Sequence, residues 1–189
     1  MSSKMKDTPE RLSHITISLH WLIALFILGL MTLGVYMSET ASYGLYPTHK
    51  SLGIFIFLFI VIRVLWRWKN GWPKPVGQHQ GWEQALATLI HWILILGTLA
   101  FPISGMLMSY AGGHGLQLFG WDLVSANLVD GKREVLDAGL AGAANSAHKT
   151  LLPIMLAAIL LHVAGALKHH VIDKDNTLKR MFGFKNNSL

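Results

Sequence analysis

The sequence predicts an all-α integral membrane protein, a four-helix bundle with both termini in the cytoplasm, and three observations predict it. Composition comes first: the chain is 52% hydrophobic and 14% charged, with a mean hydropathy of +0.41, too apolar for a typical soluble domain. Four separated apolar runs come second, each long enough for the about 20 residues that a helix needs to cross a hydrocarbon core. The third is the placement of Lys and Arg, which gather at the two ends of the chain and in one connection between runs. The 189 residues are read as a single membrane domain, 1–189.

The first run, residues 15–37, contains no Asp, Glu, Lys or Arg. Basic residues precede it, as in a signal peptide, but it is longer than a signal core and no small-residue cleavage site follows, so it reads as a retained span. A short connection with Gly44 and Pro47 leads to a second span over residues 49–68, whose Arg63 and Arg67 sit in the last turns and are expected to snorkel outward. The Gly- and Pro-rich stretch NGWPKPVGQHQGW reads as a loop. Span three covers 83–110, with a kink expected at Pro102, and span four covers 147–168, with Asn145 as its candidate cap. Between them lies a long periplasmic loop, 111–146, in which a short helix is expected over Arg133–Leu140. Loops of this length usually cover or bind something.

Twelve basic residues fall on one side of this layout: Lys4, Lys6 and Arg11; Arg63, Arg67, Lys69 and Lys74; Lys168, Lys174, Lys179, Arg180 and Lys185. Four fall on the other, Lys50, Lys132, Arg133 and Lys149. The positive-inside rule therefore puts the termini in the cytoplasm, and Trp66, Trp68, Trp72 and Trp82 mark an aromatic belt on that side. The net charge of +6 belongs to these flanks and not to a surface stripe, so nucleic acid is not an expected partner. The absence of cysteine excludes disulfides, thiolate-bound iron–sulfur clusters and c-type haem attachment.

Histidines inside the runs carry the chemistry, because ionisable groups in a span are functional candidates. His148 and His162 sit on one helix, about 21 Å apart along its axis and within about 40° of the same face. His20 lies about 8 Å into span one and His162 about 9 Å from the matching end of span four, while His49 and His148 both open their spans on the opposite side. Two depth-matched pairs result, His20 with His162 and His49 with His148. Each pair supplies the two axial nitrogens that a six-coordinate haem iron needs, and bundle cofactors are commonly held by residues from different helices. A structural hydrogen bond or a proton relay is the plainer alternative. The two pairs lie too far apart, about 20 Å along the membrane normal, to share one zinc ion.

Other residues take supporting assignments. Gly29, Gly34, Gly53 and Gly165 lie on the ligand-bearing helices and offer room for a flat macrocycle, or simply close helix packing. Pro153 cannot donate to the carbonyl of Lys149, leaving that group free beside His148. Lys50 and Lys149 follow His49 and His148 directly and are candidates for haem propionates or for steering an anionic reductant, and Arg63, Arg67 and Lys168 for propionates at the other end. His14, His79, His114, His169 and His170 fall at boundaries or in loops, where interfacial roles are expected.

The ordered set SLHWLIAL, THKSLG, AHKTL, LHVAGALKHH and DNTLKRM resembles the bacterial cytochrome b561 family of di-haem, quinone-linked cytochromes over nearly the whole chain. The chain is also similar to the cytochrome b subunits of hydrogenases and formate dehydrogenases. The resemblance implies an inner-membrane, four-helix electron-transport protein of the respiratory chain with two haem b groups, their iron ligated by His20/His162 and His49/His148. It allows superoxide as the electron donor and ubiquinone as the acceptor, which would make the protein a quinone-linked oxidoreductase. His91, Trp92 and Arg63 are then the candidate quinone-site residues, with a helix-packing hydrogen bond or proton transfer as the other roles open to His91. Two other classes stay open: a cytochrome subunit serving a larger dehydrogenase, and a histidine-based proton channel or transporter. A homodimer is compatible with a bundle of this size.

Overall fold

A computed structural model describes residues 7–8, 11–72 and 80–184. Lys4, Lys6, Lys74, His79 and Lys185, used above, lie outside the described residues. Four long helices dominate: α1 (His14–Thr40), α2 (Tyr46–Asn70), α3 (Gly81–Ala111) and α4 (Ala138–Val171), with a short α5 (Thr177–Met181) after them. All four long helices are apolar enough to cross a membrane, and protein covers only 11–22% of their most apolar windows. That uncovered surface is what lipid or a bound group has to meet, since helices satisfy their own backbone and leave only side chains to be solvated.

The helix ends have local causes. α1 stops where Ala41 turns into the left-handed region (φ 51°), and a single 3-10 turn at Tyr43–Leu45 leads into α2. Pro47 falls in the first turn of α2, where its missing N–H costs nothing. α2 ends at Gly71, whose positive φ lets its N–H return to the Arg67 carbonyl at 2.9 Å. Lys168, His169 and His170 fill the last turn of α4, where cations favour the helix dipole.

The connection between α3 and α4 differs from the expected loop. α4 starts at Ala138, well before residue 147, so Asn145 lies inside the helix and does not cap it. Asp137 caps it instead, its Oδ1 accepting the Leu140 N–H at 2.9 Å. No helix begins at Arg133: Lys132–Arg133 is a strand, and only Ala138–Leu140 of the expected Arg133–Leu140 segment is helical, as the start of α4. Two small antiparallel hairpins occupy the stretch, β1 (Leu116–Leu118) with β2 (Trp121–Val124), and β3 (Leu128–Val129) with β4 (Lys132–Arg133). Both turns use two left-handed residues, Phe119–Gly120 and Asp130–Gly131, the geometry that two-residue hairpins require.

The chain divides into two compact units. One comprises residues 1–22, 61–96 and 155–189, with Leu12, Leu19, Ile90 and Met155 buried. Its polar centre is Asp7, whose carboxylate accepts from the Ser13 N–H (2.7 Å), the Thr16 hydroxyl (2.9 Å) and Arg67 Nη1 (2.8 Å). Arg67 therefore does not snorkel. It also donates to Thr16 Oγ1 at 2.7 Å, which receives the Trp66 indole N–H at 2.9 Å as well. Arg180 of α5, 5% exposed, donates to the Thr8 carbonyl, and Trp21 donates to the Met181 carbonyl while its ring meets Phe182. The other unit comprises residues 23–60 and 97–154, with Ile23, Ile56, Ile60 and Phe101 among its buried side chains.

Burial alone would raise the Asp7 carboxyl, but the Ser13 N–H, the Thr16 hydroxyl and the Arg67 guanidinium outweigh it and hold the group below the usual 3.8. A depressed carboxylate contributes its stability above the unfolded-chain value, about 3.9, and loses it as pH falls through the folded value. Asp7→Asn should cost about 3 kcal/mol at neutral pH, since it leaves Arg67 without its ion-pair partner. The deficit in melting temperature should shrink as pH drops below about 4. Thermal unfolding in detergent from pH 7 to pH 3 checks this, and a deficit that stays constant would count against it.

Candidate functional site

Each unit holds one pair of facing imidazoles. In the unit that contains Asp7, His20 of α1 and His162 of α4 have ring centroids 6.2 Å apart at an interplanar angle of 52°. In the other, His49 of α2 and His148 of α4 have centroids 6.3 Å apart at 78°. All four are half-buried. α4 supplies one histidine to each pair, because the 14-residue spacing returns His148 and His162 to nearly the same helix face.

Around His148 the polar partners are on α3. Its Nδ1 lies 3.1 Å from the Phe101 carbonyl and 3.0 Å from Ser104 Oγ, and the hydroxyl of Ser104, 6% exposed, donates a hydrogen bond to that carbonyl at 2.9 Å. With carbonyl and hydroxyl oxygens both facing it, Nδ1 carries the ring proton, and Nε2 keeps its lone pair. Glycines come close to both rings of this pair. A Cβ on Gly105 of α3 would lie 3.4 Å from His148 Cε1, and one on Gly34 of α1 3.5 Å from His49 Cε1. His49 Nδ1 is buried with no hydrogen-bond partner.

Of the four glycines expected to leave room for a flat macrocycle or to pack helices closely, Gly34 approaches a paired ring, while Gly29, Gly53 and Gly165 face open space, with nothing among the described residues within 4 Å of an added Cβ. Gly105, Ser104 and Phe101 were not expected at the site, because they lie on α3, which carries none of the four paired histidines. The signal available was a Ser-Gly pair one turn from Pro102 in an otherwise apolar run.

In the first pair, Arg63 Nη2 stands 3.4 Å from His20 Nδ1, so this guanidinium turns inward, where outward snorkelling was expected. His91 packs edge-on against His162 with centroids 5.2 Å apart. Trp92, its neighbour in sequence, turns to Trp72 at 5.6 Å. Lys168 is taken up by Glu83 (2.7 Å) and Asp173 (2.9 Å), away from the propionate role considered for it. Lys149 is exposed and Lys50 half-buried. His114 in the connection is pushed below the usual imidazole value by burial first, then by the charges of Lys50 and Arg133, and Arg133 Nη1 lies 3.0 Å from its Nε2.

Four apolar helices, three of which carry the paired imidazoles, make an arrangement able to hold a metal-centred cofactor between helices of a membrane protein. Residues 11–184 match prokaryotic cytochrome b561, and the chain belongs to that family. It is 39% identical over 182 residues to cytochrome b561 homolog 2 of Escherichia coli K12, covering 94% of each chain. Against cytochrome b561 homolog 1 of the same organism the identity is 29%, over 91% of this chain and 97% of the relative. A protein of Yersinia pestis named probable superoxide oxidase CybB is 28% identical over 91% of this chain and 96% of its own. Family membership brings with it b-type haem and a place in membrane electron transfer.

Proposed function

We propose that this protein carries electrons across the bacterial inner membrane through two b-type haems, one held by His20 and His162 and the other by His49 and His148. The observation that carries this is the ring spacing. With a metal–nitrogen distance of about 2 Å, ring centroids roughly 6 Å apart would leave room for one metal atom between two imidazoles. The two pairs stand at 6.2 and 6.3 Å. His91, at 5.2 Å from His162, is too close to share a metal with it in this way.

The surroundings fit a bulky, flat group with anionic edges. Gly34 and Gly105 keep Cβ atoms away from the His49–His148 rings, and Phe101 and Ser104 hold His148 with Nε2 free to bind iron. Arg63 beside His20 and Lys50 beside His49 offer cations for propionates. Haem, when bound, supplies a one-electron couple, and ligation by two histidines leaves no open position for oxygen.

We assign the termini to the cytoplasm from the distribution of Lys and Arg. The connection between α3 and α4 then faces the periplasm, where Lys50, Lys149 and Arg133 make a positive approach suited to an anionic donor. Superoxide is the donor we favour, on the printed name of the Yersinia relative. Each superoxide would give up one electron and leave as dioxygen, and two such electrons with two protons convert a quinone to its quinol. His91, Trp92 and Arg63 are the residues proposed to receive ubiquinone, with His91 the group able to pass a proton.

Pyridine haemochrome analysis of purified protein should give two haems per chain, with one remaining in His148→Ala and one in His162→Ala. Retention of two haems by both variants would overturn the ligand assignment. Gly105→Val, which pushes a side chain into the His148 ring, should also lose one haem while the His20–His162 site stays loaded. Ser104→Ala should keep both haems and raise the midpoint potential of one by about 30 mV, a roughly three-fold shift, because His148 loses one of two acceptors for its Nδ1 proton. Potentiometric titration of the two haems reads this, and unmoved potentials would remove Ser104 from the site.

A further inference from the structure

The β1–β2 hairpin is more than a connector. Its register sets Gln117 opposite Asp122 and Leu118 opposite Trp121, and directly opposed residues share a face of the ribbon. The polar pair is joined by a 2.6 Å hydrogen bond from Gln117 Nε2 to Asp122 Oδ1. Leu118 and Trp121 take the other face, with Leu123 by alternation along β2. Most of that apolar face is bare: Trp121 is 78% exposed and Leu123 53%, while Leu118 is half-buried.

A two-stranded ribbon has little stability alone, and this one is clamped to α2. Ser51, 4% exposed, accepts the Phe119 N–H at 3.0 Å and donates to the Gln117 carbonyl at 3.2 Å. The Phe119 ring stands 6.2 Å from that of Phe55. Ser51 and Phe55 both belong to a helix that is long and apolar enough to span a membrane. An element fastened to the flank of a spanning helix at these positions has its outer surface continuous with the surface that meets lipid.

We propose that the β1–β2 ribbon is an interfacial anchor whose partner is the lipid surface itself. Leu118, Trp121 and Leu123 enter the boundary between headgroups and acyl chains, and Gln117–Asp122 turns to water. Tryptophan favours that boundary. The ribbon's open edges can be hydrogen-bonded among headgroups, though not in hydrocarbon.

The sequence contains no cysteine, which makes single-site spin labelling clean. Haem-loaded full-length protein in nanodiscs of phosphatidylethanolamine and phosphatidylglycerol would be labelled through Trp121→Cys or Leu123→Cys. Leu160→Cys on α4 serves as the lipid reference and Asp130→Cys, in the β3–β4 turn, as the water reference. Power saturation should give the 121 and 123 labels an oxygen-to-nickel accessibility ratio several-fold above that of the 130 label. A ratio equal to the 130 label overturns the proposal. So does shielding from both agents with dipolar broadening, the mark of a second copy covering the face. Should the cysteine variants load haem poorly, quenching of native fluorescence by brominated lipid gives the answer instead: a component absent from Trp121→Phe supports the anchor, and no difference overturns it.

Discussion

An imidazole inside a lipid-crossing helix must find a partner, because hydrocarbon offers no hydrogen bonds and no solvation for its charged form. That constraint governs how this protein is built. α4 brings His148 and His162 to one side of a single helix, and α1 and α2 each answer with one histidine. The paired rings stand with centroids 6.2 and 6.3 Å apart, and glycines of α1 and α3 face the His49–His148 pair. Little protein covers the spans, so the usual gain from burying apolar area is small. Packing between apolar helices gives no hydrophobic reward in lipid. On the proposed assignment, bound haem fills what the side chains leave open and contributes to holding the helices together.

Much of this was legible because membranes restrict the chain to few solutions. Four charge-poor runs give four helices with little ambiguity, and period 3.6 makes histidine spacing a statement about faces and depths. The paired imidazoles of His20–His162 and His49–His148 therefore follow from counting along helices. What escaped were features with no period. Asp130–Gly131 between Leu128–Val129 and Lys132–Arg133 is a strong two-residue hairpin signal, yet the glycine-rich composition around it reads as plain loop. Asp137, not Asn145, caps α4 because the small residues Ala138–Ala144 extend the helix beyond its apolar stretch. Composition marks where lipid contact begins, and a helix is free to begin earlier.

Charged residues show the same limit from another side. Arg63 and Arg67 lie four apart on one helix, and hydropathy treats them alike. Arg67 is drawn to Asp7 and Thr16, whereas Arg63 turns toward His20. Asp7 comes from the segment before α1, so no periodicity within α2 could distinguish the two. Lys168 likewise goes to Glu83 of α3 and Asp173 beyond α4. Tertiary partners remote in sequence decide which cation is structural and which remains available to an anionic ligand.

The two proposed haem sites are built with different polar surroundings, and this bears on direction. Beside His148 the neighbours are acceptors, the Phe101 carbonyl and Ser104 Oγ, which raise the basicity of a ligating imidazole and stabilise the oxidised metal. Beside His20 the neighbour is the Arg63 guanidinium, a fixed positive charge that stabilises the reduced, more electron-rich state. Lys50 follows His49 directly, so a cation stands near each pair, and it is the acceptors around His148 that distinguish the two. On the proposed assignment they would favour electrons passing from the His49–His148 pair toward the His20–His162 pair, beside which His91 stands. A donor entering near Lys50 and Lys149 would then deliver electrons at the lower-potential end, and the gradient set by α2 and α3 would carry them toward the quinone.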